Sequence, residues 1–252
     1  VRGCESRSPL YPCPLFPIMP SLMPYPKATS WQMFDRIARR YDLLNRILSL
    51  GIDQSWRKRL VVIAPLGAET IIDLATGTGD VLLAFERYYP GKPALRGYDL
   101  SSGMVSEGIR KCQRLGSRAV LLMGDAASIP EPDGVADVVS MSFGIRNVPD
   151  VPAVLGDIRR ILKPGGSVFI LEFTMPKMPL LSWAYKAYFR YVLPGVGGVI
   201  SGDRHAYTYL NRTVEAFADQ NTFLGLLREQ GFRDTGAISL TFGIASLYYG
   251  KK

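Results

Sequence analysis

The sequence predicts an α/β protein built on a doubly wound, mostly parallel sheet of seven strands. Three observations predict it. The run Ile71-Ile72-Asp73-Leu74 breaks at Gly77-Thr78-Gly79-Asp80 into a helical pattern (Val81, Leu82, Ala84, Phe85), giving strand, tight turn and helix in succession. Strand-like and helix-like runs then alternate as far as Phe173, and that rhythm makes parallel strands joined by helices. Two last apolar runs, 237–242 and 244–249, fit an antiparallel hairpin at one edge.

Taken in order, residues 1–27 carry Pro9, Pro12, Pro14, Pro17, Pro20, Pro24 and Pro26, so a disordered extension is expected there. Residues 28–252 then form one domain. Ser30 is a candidate cap for a helix whose apolar positions are Met33, Phe34, Ile37, Tyr41, Leu44 and Leu48, ending at Gly51. A second helix over 55–64 stops at Pro65. Both precede the first strand, as an N-terminal cover over a pocket would. Strands follow at 70–74, 94–99, 119–123, 136–143 and 167–173, with helices at 101–115 and 150–162 and a turn at Lys163-Pro164-Gly165-Gly166. Residues 175–215 read as a helical lid. Its Trp183, Tyr185, Tyr188, Phe189 and Tyr191 are interleaved with Lys177, Lys186 and Arg190, which suits either an apolar tail at a membrane surface or plain packing on the core.

Composition narrows the class. The net charge of +8 fits nucleic acid, an anionic membrane surface or solvation alone, and the basic residues are scattered apart from Arg36-Arg39-Arg40-Arg46 and Arg57-Lys58-Arg59. Helical periodicity sets both groups opposite apolar positions, on a solvated or membrane-facing side, and argues against a nucleic-acid groove. Three cysteines without metal spacing and a single histidine, His205, give no metal site and point to a reduced, cytoplasmic location. No apolar run is long enough to span a bilayer. Peripheral contact with the inner face of a membrane is the expectation, in an organelle if the N-terminal extension is a transit peptide.

The glycine turn sets the ligand. In a dinucleotide site a third small residue would stand at position 82, where Leu82 is found, and Asp80 at the helix start would repel a pyrophosphate. An acid there favours a ligand carrying an ammonium or sulfonium cation, and S-adenosylmethionine carries both. Asp73, Gly77, Thr78 and Gly79 belong to the same turn. Asp99 closes the second strand, where an acid accepts hydrogen bonds from a ribose diol. Asp125 and Ala126, after the third strand, suit an adenine edge, and Ser142, at the end of the fourth, would lie under the methionine portion.

The run Ser142-Phe143-Gly144-Ile145-Arg146-Asn147-Val148 makes the chain specific. With Phe34-Asp35-Arg36, Arg40-Tyr41-Asp42, Trp56-Arg57, the glycine turn, Leu162-Lys163-Pro164-Gly165-Gly166, Leu171-Glu172-Phe173 and Gly202-Asp203, it resembles the ubiquinone/menaquinone biosynthesis C-methyltransferases from about Phe34 onward. The resemblance implies a class I, Rossmann-like methyltransferase that moves a methyl from S-adenosylmethionine to a ring carbon of a polyprenylated quinol. It also implies cofactor contacts at Thr78, Asp99, Asp125, Ala126 and Ser142. Carbon methylation needs an electron-rich, enolate-like ring, so a cation must hold the ring oxygen. Arg146 is either that cation or half of a surface salt bridge with Asp150; Asn147 could orient the oxygen, and Asp203 position either group or cap a helix. His205 is an alternative base. Thr76 stands where relatives often carry Gly, and 217–220 lacks their Pro and Glu. A macromolecular methyltransferase, a non-catalytic scaffold subunit and a homodimer remain compatible with these residues.

Overall fold

The computed structural model describes residues 27–176, 178–192 and 204–252. A turn of 3-10 helix (Lys27–Thr29) leads into α1 (Ser30–Leu48) and α2 (Ile52–Ile63). The alternating body follows: β1 (Thr70–Leu74), α3 (Asp80–Tyr88), β2 (Ala94–Asp99), α4 (Ser102–Leu115), β3 (Val120–Met123), β4 (Ala136–Ser142), a 3-10 turn (Ile145–Asn147), α5 (Val151–Ile161) and β5 (Leu162–Phe173). Next come α6 (Pro179–Ala187), a π turn (Tyr188–Val192), α7 (Arg204–Glu215), α8 (Gln220–Glu229) and the hairpin β6 (Arg233–Leu240) and β7 (Ala245–Lys251).

The seven strands lie in the order β3-β2-β1-β4-β5-β7-β6, parallel except for β7, which runs antiparallel to both of its neighbours. The chain winds outward from β1 in one direction and from β4 in the other, so β1 and β4 flank the switch point. A crevice opens there beyond their carboxyl ends. Ile71, Ile72 and Leu74 of β1 are fully buried, and each contributes roughly 1.5–3 kcal/mol of burial. Position thus comes from the sheet, and the loops inherit it.

Most predicted boundaries hold within a residue or two. Asp150 caps α5 by accepting from the Ala153 N–H, and Ser101 caps α4 by accepting from the Met104 N–H. Three details differ. Ser30 lies inside α1, and its hydroxyl donates back to the Lys27 carbonyl. α2 begins at Ile52, directly after a left-handed Gly51 and three residues before the expected start at 55. Lys163–Gly166 is not a turn between elements but a bulge within β5, since Leu162 pairs with Ala136 and Ser167 with Val138. The expectation of disorder for residues 1–27 falls almost wholly on residues outside those described. No helix among the described residues is long and apolar enough to cross a membrane.

Candidate active site

The first cavity, of about 310 Å³, lies at the switch point. Ala75 after β1 and Phe143 after β4 both adopt left-handed backbone (φ 47° and 59°). Such strain costs on the order of 1–2 kcal/mol per non-glycine residue and is retained where it shapes a site. Gly144 is required beside them, because a Cβ there would stand 2.6 Å from that of Ala75. At the floor, Asp99 accepts from the Gly77 N–H and the Ser101 N–H, each at 2.8 Å. Burial pushes the Asp99 carboxyl up, and the two amides work against it. Each oxygen is fixed by one amide and keeps lone pairs for a diol. Asp125, held by the Ala127 N–H, and Ala126 line the far wall. Ser142 and Asn147 also line this cavity, and their Oγ and Oδ1 are buried without a hydrogen-bond partner. Two orphaned acceptors are what a ligand with cationic donors would satisfy.

Three predicted cofactor residues do not line the cavity. Asp73 lies in β1 beneath the turn, its Oδ1 accepting from the Ser140 hydroxyl at 2.6 Å, and burial raises its pKa to about 7. Gly79 leaves room for Leu121, 3.3 Å from where a Cβ would stand. The Thr78 hydroxyl donates to Asp42 (2.6 Å) and accepts from Lys111 (2.9 Å). Asp80 is spent in that same network: Lys111 reaches it at 2.7 Å and Arg46 at 2.9 Å, with Arg57 at 3.9 Å. Burial pushes the Asp80 carboxyl up, but Arg57, Lys111 and Arg46 overcome burial and hold it at about 2. Its cation partners are therefore internal, not a ligand's. Thr76, the departure from the relatives' glycine, needs no glycine. It is absent from the left-handed positions, and its side chain fills the space that Gly97 leaves open.

A second cavity, of about 380 Å³, abuts the first. Phe34, Tyr41 and Phe143 line both, so α1 and the β4 turn form a shared aromatic wall. Its other sides come from Met33, Ile37 and Leu44 of α1, Trp56 of α2, Phe173 and the lid tyrosines Tyr185, Tyr188 and Tyr209. Arg146 faces this cavity and is 5% exposed. Its Nη1 donates to Glu172 and to the Phe143 carbonyl, both at 2.6 Å, and its guanidinium stacks over Phe173. The surface bridge to Asp150 does not form; Asp150 is occupied as a helix cap. Burial raises the Glu172 carboxyl and Arg146 opposes it.

Arg146 and its neighbour Asn147 thus face different cavities. Asp203 lies outside the described residues, as does the His205 side chain. Residues 217–220 line neither cavity; Asp219 caps α8. The sequence also misplaced Arg46 and Arg57, set on a solvated face by periodicity but drawn inward by Asp53 and Asp80. The signal available was Asp53 itself, four residues before Arg57.

A seven-stranded sheet of this order with a nucleoside-sized crevice at its switch point defines a class I S-adenosylmethionine-dependent methyltransferase. Solved structures of that class share the fold: a SAM-dependent methyltransferase from Thermotoga maritima superposes with a TM-score of 0.65 at 17% identity, covering 88% of this chain and 99% of that one. One from Aquifex aeolicus gives 0.59 at 16%, covering 83% and 97%. The chain belongs to the ubiE/COQ5 methyltransferase family, whose profile matches residues 26–252. Among its relatives, the ubiquinone/menaquinone biosynthesis C-methyltransferase UbiE of Syntrophotalea carbinolica is 45% identical, over 86% of this chain and 92% of the relative. The demethylmenaquinone methyltransferase of Thermus thermophilus is 41% identical, over 87% and 100%. S-adenosylmethionine fits the first cavity: Asp99 suits its ribose, Asp125 and Ala126 its base, and Ser142 and Asn147 its cationic end.

Proposed function

We propose that this chain methylates a ring carbon of a polyprenylated quinol in quinone biosynthesis. One observation carries the reading: a nucleoside-sized cavity floored by Asp99 and a larger, more apolar one share an aromatic wall, and the consecutive residues Arg146 and Asn147 face one each. The apolar cavity suits a substituted aromatic ring, and Arg146 is the cation that holds its oxygen.

When bound, S-adenosylmethionine supplies an electrophilic methyl, whose bond to sulfur breaks with the electron pair left on sulfur as the bond to ring carbon forms. The chain's own part is to make and hold the nucleophile. The Arg146 guanidinium stabilises the quinol oxygen as it loses its proton, which places electron density on the adjacent ring carbon. Its pairing with Glu172 keeps the side chain fixed, so nothing reorganises during transfer. The methylated carbon then loses its hydrogen as a proton while the oxygen regains one, so the ring is again an aromatic quinol and a single proton passes to solvent overall. Trp56, Phe143 and Phe173 exclude water from the ring.

The mouth of the apolar cavity supports contact with a lipid surface. Leu50, 86% exposed, lines the cavity at the α1–α2 turn, and Phe242, 79% exposed, follows the cavity residue Thr241. Leu180 and Trp183 of α6 are exposed too, and Arg36, Arg39 and Arg40 add exposed positive charge along α1. Apolar tips with basic neighbours suit an anionic interface that delivers a prenylated ring.

The test is turnover of a demethylated short-chain prenyl naphthoquinol and benzoquinol, kept reduced, with methyl-labelled S-adenosylmethionine. Label bound to ring carbon is expected. Label found only as an O-methyl ether, or no transfer to either ring, would overturn the reading.

A further inference from the structure

Arg146 is one of two buried arginines in the apolar cavity. The other, Arg57, comes from α2, remote in sequence, and is 6% exposed. The two sit on the same aromatic pair. Phe143 and Phe173 lie 4.5 Å apart between ring centroids, inclined by 33°; the Arg57 guanidinium is 5.6 Å from the Phe143 ring and that of Arg146 is 5.5 Å from the Phe173 ring. Each guanidinium has a carboxylate at one end: Asp53 and Asp80 for Arg57, Glu172 for Arg146. Each also keeps a buried Nε–H without a hydrogen-bond partner.

A buried, unpartnered donor on a charged group is disfavoured unless a ligand completes it. One such donor would serve a phenol. Two such arginines, brought by separate elements into the lining of one cavity, suit a ring that carries two oxygens. The carboxylates already balance most of the charge, so what Arg57 offers an incoming ring is a directional donor rather than a free cation. Its geometry also differs from that of Arg146. Arg146 belongs to the turn whose next residue faces the donor cavity, whereas Arg57 belongs to the N-terminal cover.

We propose that Arg57 binds the second oxygen of the acceptor, the one para to the oxygen held by Arg146, and so makes a 1,4-dihydroxy ring the preferred acceptor over a simple phenol. This inference rests on the quinol reading and adds to it the residue that recognises the substrate's far end. Arg57 touches the ring without taking part in bond making. Its Asp53 and Asp80 partners hold the fork in place, and Asp53, itself in the cavity lining, is steadied in turn by the Ser49 hydroxyl at 2.8 Å.

The experiment compares a short-chain prenyl 1,4-naphthoquinol with the matching prenyl 1-naphthol, which keeps the activating oxygen and lacks the other. Wild-type protein should prefer the quinol by roughly 10- to 100-fold in kcat/KM, the loss expected when a charged donor is left unmet. In Arg57→Gln that preference should shrink to about threefold or less, while S-adenosylmethionine affinity stays within about twofold. Arg57→Lys keeps a cation opposite Asp53 and Asp80 and so guards against loss of the fold; it should fall between the two. A merely structural role would lower turnover of both acceptors together and leave their ratio unchanged. That unchanged ratio, in either variant, overturns the assignment of Arg57 and leaves the quinol reading standing. Failure of wild-type protein to methylate the quinol at all would instead remove both.

Discussion

The two cavities share a wall and are built in opposite ways. The first is built mainly on strand ends: Asp99 and Ser142 end a strand, Ala75, Gly77, Asp125 and Gly144 come just after one, and much of the polar lining is backbone or a short side chain tied to backbone. The second is made of side chains from α1, α2, β5 and the lid, and its polar groups are long, buried and paired with one another. A site of the first kind is a consequence of topology. A site of the second kind exists only when distant helices pack. Damage should therefore spread differently: local in the first, shared between stability and turnover in the second.

The largest effect is expected at Arg146. Arg146→Ala leaves Glu172, which has no exposed surface, without its counter-charge, and such a loss costs about 3–5 kcal/mol of stability. Adding Glu172→Ala should restore most of the melting temperature. Turnover should stay at least about 100-fold down in both proteins, because the oxygen still lacks its cation. Recovery of activity together with stability would show that Arg146 only holds the fold and would erase the contrast between the cavities.

Asp99→Ala tests the other side. Losing the diol's acceptor should weaken S-adenosylmethionine by about 2–3 kcal/mol, as read by calorimetry. KM for the quinol should hardly move. Equal loss at both ligands would mean that the cavities are one site.

Asp73 sharpens the comparison through pH, since it sits beneath the first cavity and lines neither. Burial raises its pKa to about 7, against the hydrogen bond from Ser140. The native state therefore keeps a proton that the unfolded chain releases above about pH 4, and stability falls as pH rises from there through about 7. Asp73→Asn cannot ionise, so its melting temperature should gain on wild type between about pH 5 and about pH 8. A gap that does not change with pH would place the charge of Asp73 elsewhere.

The smallest effect is predicted for Ser142→Ala, which removes one orphaned acceptor. Cofactor affinity should drop by about 1 kcal/mol with no change in melting temperature, because no internal partner is lost. A rise in affinity would mean the hydroxyl meets nothing in the bound ligand.

The first cavity was legible in large part because glycine turns, strand-terminal acids and the Phe-Gly-Ile-Arg-Asn run are local patterns, and a parallel sheet carries each of them to the same edge. Asp99, Asp125 and Ser142 reach the crevice for that reason. At Thr78 and Asp80 the local pattern is silent on what the fold adds, since Lys111, Arg46 and Asp42 engage the side chains. No window of sequence contains those partners.

The sequence by itself determined the strand order's raw material, the turn at Gly77 and the family to which the chain belongs, because backbone preferences and short motifs act within a few residues. Only the tertiary structure decided that Arg57 turns inward, that Glu172 backs Arg146, and that Phe34, Tyr41 and Phe143 wall the first cavity from the second. Periodicity assigns a charged residue to solvent by default. A buried ion pair overrides that default only when a partner from a distant element arrives to offset desolvation.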